Sequence, residues 1–139
     1  MCNNKFDPAG IFLELGSPLY GLQGFAKNIF ENDEIYKDMP PEVVAWLEKW
    51  APKFDVWVTE FEKLRHLPKG NLTLDQRYKT LIQKLIFVLD GVEAAAIEVN
   101  AVPIPKILDD KYHFKALKSA IWYIEETYQR MNEYIASLE

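Results

Sequence analysis

Apolar residues recur at alternating intervals of four and three in three stretches of this chain. This heptad spacing places the apolar side chains along one stripe of an α-helix, where a neighbouring helix can pack. The three stripes are Val43, Leu47, Trp50, Phe54, Trp57, Phe61 and Leu64; Leu74, Tyr78, Leu81, Leu85, Val88, Val92, Ala95 and Val99; and Phe114, Leu117, Ile121, Ile124, Tyr128, Met131, Ile135 and Leu138. No segment alternates convincingly with a period of two, so the sequence predicts an all-α fold.

Signals at the ends of these stripes predict three long helices, over about 41–66, 73–100 and 110–138. Pro41 suits a first helical turn, and Thr73 with Gln76 has capping-box spacing. For the last helix, we expect Asp109 or Asp110 to be the cap. Gly91, which follows Asp90, is a weak point or bend within the second helix.

The N-terminal third predicts a weaker element, a short and irregular helix over about 18–31 that begins at Ser17-Pro18. We expect residues 1–17 to be an irregular segment packed on the helices. The connections between long helices are short, so neighbours run antiparallel and the architecture is an up-and-down helical bundle. We interpret residues 1–139 as one domain.

The second long helix carries more apolar residues than one stripe needs, and we expect it to be the most buried helix, contacted on several sides. The additional residues are Ile82, Ile86, Phe87, Leu89 and Ile97.

Composition excludes several classes of protein. The net charge of −5 argues against a dedicated nucleic-acid binder. Cys2 is the single cysteine, so neither an internal disulfide nor a cysteine-rich zinc site can form. The N-terminus lacks the pattern of a secretory signal, and no apolar run approaches the length of a membrane span. We therefore expect a soluble, cytoplasmic protein with no membrane association.

The segment 63–84 is basic and gives one candidate anion-binding site. Its cationic residues are Lys63, Arg65, Lys69, Arg77, Lys79 and Lys84, six of the sixteen in the chain. Antiparallel packing would bring the acidic half of the last helix to this end, and would bring Lys106, Lys111, Lys115 and Lys118 to the acidic N-terminal region. We therefore favour neutralisation within the fold or plain solvation, and keep an anionic ligand as the alternative.

Signatures of catalysis and of metal or cofactor binding are missing. The chain has no Glu-x-x-His pair for a di-metal bundle site, no phosphate-binding glycine loop and no nucleophile motif. The stripes hold no carboxylate. We predict no catalytic residues, no metal and no cofactor, and lean against an enzyme.

Four aromatic residues are the candidates for binding a partner: Trp46, Trp122, Tyr123 and Tyr20. Trp46 lies off the stripe of its helix, and Trp122 and Tyr123 both follow the stripe residue Ile121. The first interpretation is that they cover neighbouring parts of the fold. The second is an exposed anchor for a protein, since Trp and Tyr dominate interface hot spots.

The function predicted by elimination is non-enzymatic binding of another macromolecule, with a protein partner and with self-association as one form of it. Nucleic-acid or anion binding through residues 63–84 is the first alternative. A small-molecule or enzymatic pocket between the helices is the second.

Overall fold

The computed structural model describes residues 8–66 and 70–138. Cys2 and Lys69 lie outside these ranges. Within them the chain is all-helical, with no strand. The helices are α1 (Pro8–Leu13), α2 (Gly16–Glu31), α3 (Asp33–Asp38), α4 (Pro41–Arg65), α5 (Leu74–Val88), α6 (Val92–Ala101), α7 (Lys106–Tyr112) and α8 (Phe114–Ser137).

Helix α4 confirms the first long helix and its stripe. It begins at Pro41, continues through Pro52 and ends at Arg65. All seven stripe residues, from Val43 to Leu64, are buried. One heptad phase on both sides of an internal proline was therefore a sound reason to predict a single helix.

The helix predicted over 73–100 is two helices, so that prediction was wrong. Thr73 and Gln76 form the expected capping box at the start of α5, but α5 ends at Val88 and α6 begins at Val92. At the break, a Cβ on Gly91 would lie 3.2 Å from the ring of Trp50. The indole of Trp50 thus occupies the space that a side chain at position 91 would need. The chain turns at this glycine.

Burial along α5 and α6 also corrects the prediction that this segment is the most buried helix. Leu74 is exposed, and the exposed fractions of Phe87 and Ile97 are 83% and 69%. Phe87 and Ile97 each stand two residues, about 200° of helix rotation, from a buried stripe position. Although α1, α4 and α8 all contact α5, and α4 and α8 contact α6, these residues lie on the sides of α5 and α6 that face outward.

The last helix begins later than predicted, because the chain first forms the short helix α7. His113 separates α7 from α8 in the left-handed conformation, with φ 58° and ψ 49°. Asp109 does not cap α8 as its preceding residue. Its Oδ1 instead accepts a hydrogen bond of 3.0 Å from the backbone N–H of Lys115, one residue inside α8.

The N-terminal region is more helical than predicted. Residues Ile11, Phe12 and Leu15 are fully buried around α1, and α2 begins at Gly16 without a side-chain cap. Helix α2 ends at Glu31, as predicted, and the Oδ1 of Asn32 then caps the additional helix α3 by accepting from two backbone N–H groups.

Helix α2 packs between α4 and α8, and both run opposite to it. The contacts that set these directions are Gly16–Phe61 and Gln23–Asp55 (2.9 Å) towards α4, and Glu14–Arg130 (2.7 Å) and Phe25–Phe114 (ring centres 5.3 Å apart) towards α8. On the other side, α5 and α6 pack against α4 and α8. One cluster of buried apolar residues draws on α1, α2, α4, α5, α6 and α8.

Candidate functional site

Trp46 is part of the core. Its exposed fraction is 5%, and its ring centre lies 5.6 Å from that of Phe54 on the same helix. The sequence left open whether Trp46 covers neighbouring parts of the fold or is an exposed anchor for a partner. Its burial agrees with the first interpretation. Its indole Nε1 is buried without a hydrogen-bond partner, which is costly in an interior where buried donors are normally paired.

Tyr20 is partly exposed and faces α4. Its ring meets that of Phe61 edge-on, with centres 6.4 Å apart. Desolvation raises the pKa of the Tyr20 hydroxyl above its ordinary value, and the Glu62 carboxylate raises it further, against a lowering contribution from Arg65. Tyr20 therefore belongs to the α2–α4 side of the molecule, away from Trp122.

Trp122 and Tyr123 lie side by side on the outer part of α8, with exposed fractions of 57% and 40%. Their position follows from helix periodicity: Ile121 and Ile124 are buried, and the two residues between them are turned away from that stripe. Within the part of the chain that the structure describes, neither side chain has a hydrogen bond or a ring contact. This pair is therefore free to meet another molecule.

A groove of about 240 Å³ separates α8 from α6 beside Trp122. Its lining residues are Ala96, Val99, Asn100, Lys118, Ser119, Ile121, Trp122 and Glu125. Ile97, which is exposed on α6, follows Ala96 along the same helix. We call this groove together with Ile97 the Trp122 face.

A second groove, of about 450 Å³, lies on the other side of α8, towards α2. Tyr123 and Ala120 line it from α8, and Ser17, Pro18 and Gly21 line it from α2. Ser119 lines both grooves. The small side chain of Ser119 thus separates the two grooves on the outer side of α8. Trp122 lies beside the first groove and Tyr123 beside the second.

The described basic candidates are dispersed along the end of α4 and along α5. Lys63 pairs with Glu60 at 3.0 Å on the same helix. Arg77 is half-buried and donates to the backbone carbonyl of Arg65 at 3.3 Å, while its Nε is buried without a partner. Lys79 is half-buried, Lys84 is exposed, and Lys69 is outside the described residues.

Charge pairing between helices follows the predicted scheme at one end of the molecule. Lys111 pairs with Asp38 at 3.2 Å, as expected for the lysines of the last segment and the acidic N-terminal region. At the other end, Asp75 adds to burial in raising the pKa of Tyr134, which places the end of α8 near the start of α5. No ion pair joins the acidic residues of α8 to the basic segment among the described residues.

A cluster that sequence reasoning missed joins α4 to α6. The Glu98 carboxylate accepts from the indole N–H of Trp50 at 3.0 Å and from the Lys49 ammonium at 2.8 Å. Both donors hold the pKa of Glu98 below its ordinary value, Lys49 first and Trp50 second. Nothing in the sequence indicates this pairing, because residues 49 and 98 meet only once the helices pack.

A third groove, of about 390 Å³, lies beside this cluster and is bordered by Trp46. Its remaining lining residues are Glu42, Ala45, Lys49, Glu98, Ala101, Val102 and Pro103. Small side chains on both helices leave this space open.

Searches for related proteins returned no family model, no curated protein and no solved structure that matches this chain. Over residues 8–66 and 70–138, no three His, Cys, Asp or Glu side chains gather as a metal site would require. Over the same residues, no helix has the length and apolar character of a membrane span.

Proposed function

We propose that this protein acts by binding another protein through the Trp122 face, presented by an up-and-down antiparallel helical bundle. The observation that carries the proposal is a tryptophan 57% exposed at the edge of a groove between two helices. Trp is among the residues that most often dominate binding energy at protein interfaces. An exposed aromatic ring beside a groove offers a partner both a protruding side chain and a recess in which its own side chains can pack.

Two further features support this choice of surface. Ile97, which follows the lining residue Ala96 along α6, adds a second large apolar side chain that is exposed. Lys118 and Glu125 border the groove with opposite charges. An apolar centre with charged edges is the arrangement typical of protein interfaces.

Trp46, a candidate with Trp122 by sequence, is not part of the proposed binding surface. Its burial makes it a structural residue in this fold. Tyr20 is set aside as well, because its ring packs on Phe61. Tyr123 remains as a neighbour that would extend the surface towards the second groove.

Site-directed photo-crosslinking tests the proposal. A benzophenone amino acid replaces Ser119, which lies at both grooves, or Val56, a half-exposed residue on α4, as the control. In extract of the source cells, position 119 should give a discrete cross-linked protein that position 56 does not. Adding Trp122→Ala to the position 119 variant should abolish that product while circular dichroism shows an unchanged fold. Equal products at both positions, or products insensitive to Trp122→Ala, would contradict the proposal.

Binding of an anion or nucleic acid by the basic segment ranks second. The Arg77 guanidinium donates to the backbone carbonyl of Arg65, which brings one cation from α5 to the end of α4. Against this, Lys63 is already paired and Lys84 stands more than one helical turn away from Arg77. Retention of single-stranded DNA or heparin at low salt that falls steeply with added NaCl would favour this alternative.

A small-molecule site in the groove beside Trp46 is the third candidate. An indole N–H buried without an acceptor, in a residue that borders a groove of about 390 Å³, favours a ligand that offers a hydrogen-bond acceptor. A thermal-shift screen of metabolites tests it, with Trp46→Phe as the variant that lacks the donor. Ligands that stabilise both proteins equally would count against the site.

A further inference from the structure

On α8, the charged side chains that flank Trp122 are positive before it and negative after it. Lys115 and Lys118 precede it, and Glu125 and Glu126 follow it. Among the described residues, none of these four side chains forms an ion pair or a hydrogen bond. The outer surface of α8 is therefore positive before Trp122 and negative after it, with an exposed aromatic ring at the boundary.

Resting on the function proposed above, we propose that the partner is a second copy of this chain, and that two α8 helices pack antiparallel around a twofold axis at Trp122. A twofold interface uses one patch on both subunits, so that patch must be complementary to itself. A stretch that is positive at one end and negative at the other satisfies this requirement when the two helices run in opposite directions.

The helical positions of the charges decide which pairs form. At about 100° per residue, Lys118 and Glu125 lie about 40° and 60° to one side of Trp122. Both line the α6–α8 groove together with Trp122, which agrees with that placement. Lys115 and Glu126 lie about 20° and 40° to the other side.

A twofold axis perpendicular to antiparallel helices keeps each side of one helix against the same side of its partner. Lys118 then meets Glu125 of the partner subunit, and Lys115 meets Glu126 of the partner subunit. The symmetry repeats both pairs, so all four contacts join opposite charges. In a parallel arrangement, each side of one helix would face the other side of its partner, so Lys118 would meet Lys115 of the partner subunit and Glu125 would meet Glu126 of the partner subunit, and every contact would join like charges. The charge order thus selects the antiparallel pairing.

Trp122 lies at the centre of this arrangement, where a hot-spot residue has its greatest effect. The neighbouring Ser119 is small, and the groove of about 240 Å³ offers space to the indole of the partner subunit. Tyr123 faces the other groove and stands outside the central contact.

The size of the contact sets the expected affinity. Helix α8 has 24 residues and is about 36 Å long. A pairing of one such helix from each subunit buries less than the area typical of stable complexes, so we expect a dissociation constant on the order of 10 μM. The charged pairs stand at the rim, so dimerisation should weaken as NaCl rises.

Reciprocal charge exchange, measured by sedimentation equilibrium between about 1 and 500 μM, tests the proposal. The single variants K118E and E125K each place like charges in contact and should dimerise about tenfold more weakly than the wild type. An equimolar mixture of the two should recover wild-type affinity, because each chain supplies the charge that the other lacks. The double variant K118E/E125K should also recover it.

Controls separate the outcomes. K53E on α4, an exposed position on a different helix, should leave dimerisation unchanged, and circular dichroism verifies folding of every variant. A wild-type chain that stays monomeric at 500 μM, or a mixture no tighter than the single variants, overturns the self-pairing. Neither result affects cross-linking from Ser119 to a different protein, so failure of this inference and failure of the proposed function are distinguishable.

Discussion

The indole N–H of Trp50 donates a 3.0 Å hydrogen bond to the Glu98 carboxylate and so ties α4 to α6. The same carboxylate binds Lys49 at 2.8 Å. The ring of Trp50 also lies against Gly91, at the turn that separates α5 from α6. Trp50 thus contributes both to the contact between α4 and α6 and to the packing at the turn between α5 and α6.

Gly91→Ala should destabilise the fold. The new Cβ would lie 3.2 Å from the Trp50 ring, which its hydrogen bond to Glu98 keeps from moving aside. We expect a loss of about 1–3 kcal/mol, the usual range for overpacking. Urea denaturation followed by circular dichroism measures it.

Gly24→Ala is the matched control, because the added Cβ in the middle of α2 has no atom within 4 Å apart from the neighbouring residues and backbone of its own helix. It should stabilise the protein by up to about 1 kcal/mol through helix propensity. If both alanines stabilised the protein, the account of the turn at Gly91 would be wrong.

Trp46→Ala and Trp122→Ala should differ sharply in their effect on stability. Trp46 is buried in the core, so its truncation should cost about 3–5 kcal/mol. Trp122 is largely exposed, so its truncation should change the free energy of unfolding by less than about 0.5 kcal/mol. Equal effects in urea denaturation would contradict the placement of the two rings.

Acid should weaken the contact between Asp38 and α7. The Tyr112 hydroxyl donates to the Asp38 carboxylate at 2.6 Å and Lys111 pairs with it at 3.2 Å; both hold the pKa of Asp38 below its ordinary value, Tyr112 first. A carboxyl group with a lowered pKa in the folded state stabilises the fold above its unfolded pKa of about 3.9. That contribution is lost as the pH falls through the lower folded pKa.

Comparison with Asp38→Asn measures this contribution between pH 6 and pH 2. The stability difference between wild type and variant should be constant above about pH 5 and should shrink below about pH 4. Tyr112→Phe, which removes the main cause of the shift, should move the loss to higher pH. A difference that stays constant over the whole range would show that ionisation of Asp38 does not contribute to stability.

His113→Gly should stabilise the protein. His113 has φ 58°, a left-handed conformation that costs about 1–2 kcal/mol for residues with a Cβ and little for glycine. The gain in the folded state is partly offset because glycine has more freedom in the unfolded chain, so we expect a net gain of about 0.5–1 kcal/mol. His113→Val should lose stability, and thermal unfolding of the two variants checks both signs.

Contacts between distant parts of the chain explain why the sequence did not predict the break between α5 and α6. The heptad stripe of α4 was sufficient because every position on it meets a partner, even across Pro52. The stripe of 73–100 continues through the turn at 89–91, so periodicity alone could not reveal the break. The decisive contact, the ring of Trp50 at Gly91, joins residues far apart in the chain.

The candidate site was predicted in part. Sequence periodicity required that Trp122 or Tyr123 leave the stripe after Ile121, and both do. It did not show that Ile97 is exposed, because an apolar residue on a strongly apolar helix is expected to be buried.

By itself, the sequence determined that this chain forms helices and which side chains of α4 are turned inward, since these depend on local spacing and capping. The tertiary structure alone decided which off-stripe residues are covered. Trp46 and Trp122 both lie off the stripes of their helices, yet packing around α4 buries the first and the outer position of α8 exposes the second. Burial is a property of neighbours from distant parts of the chain, and a local pattern does not contain them.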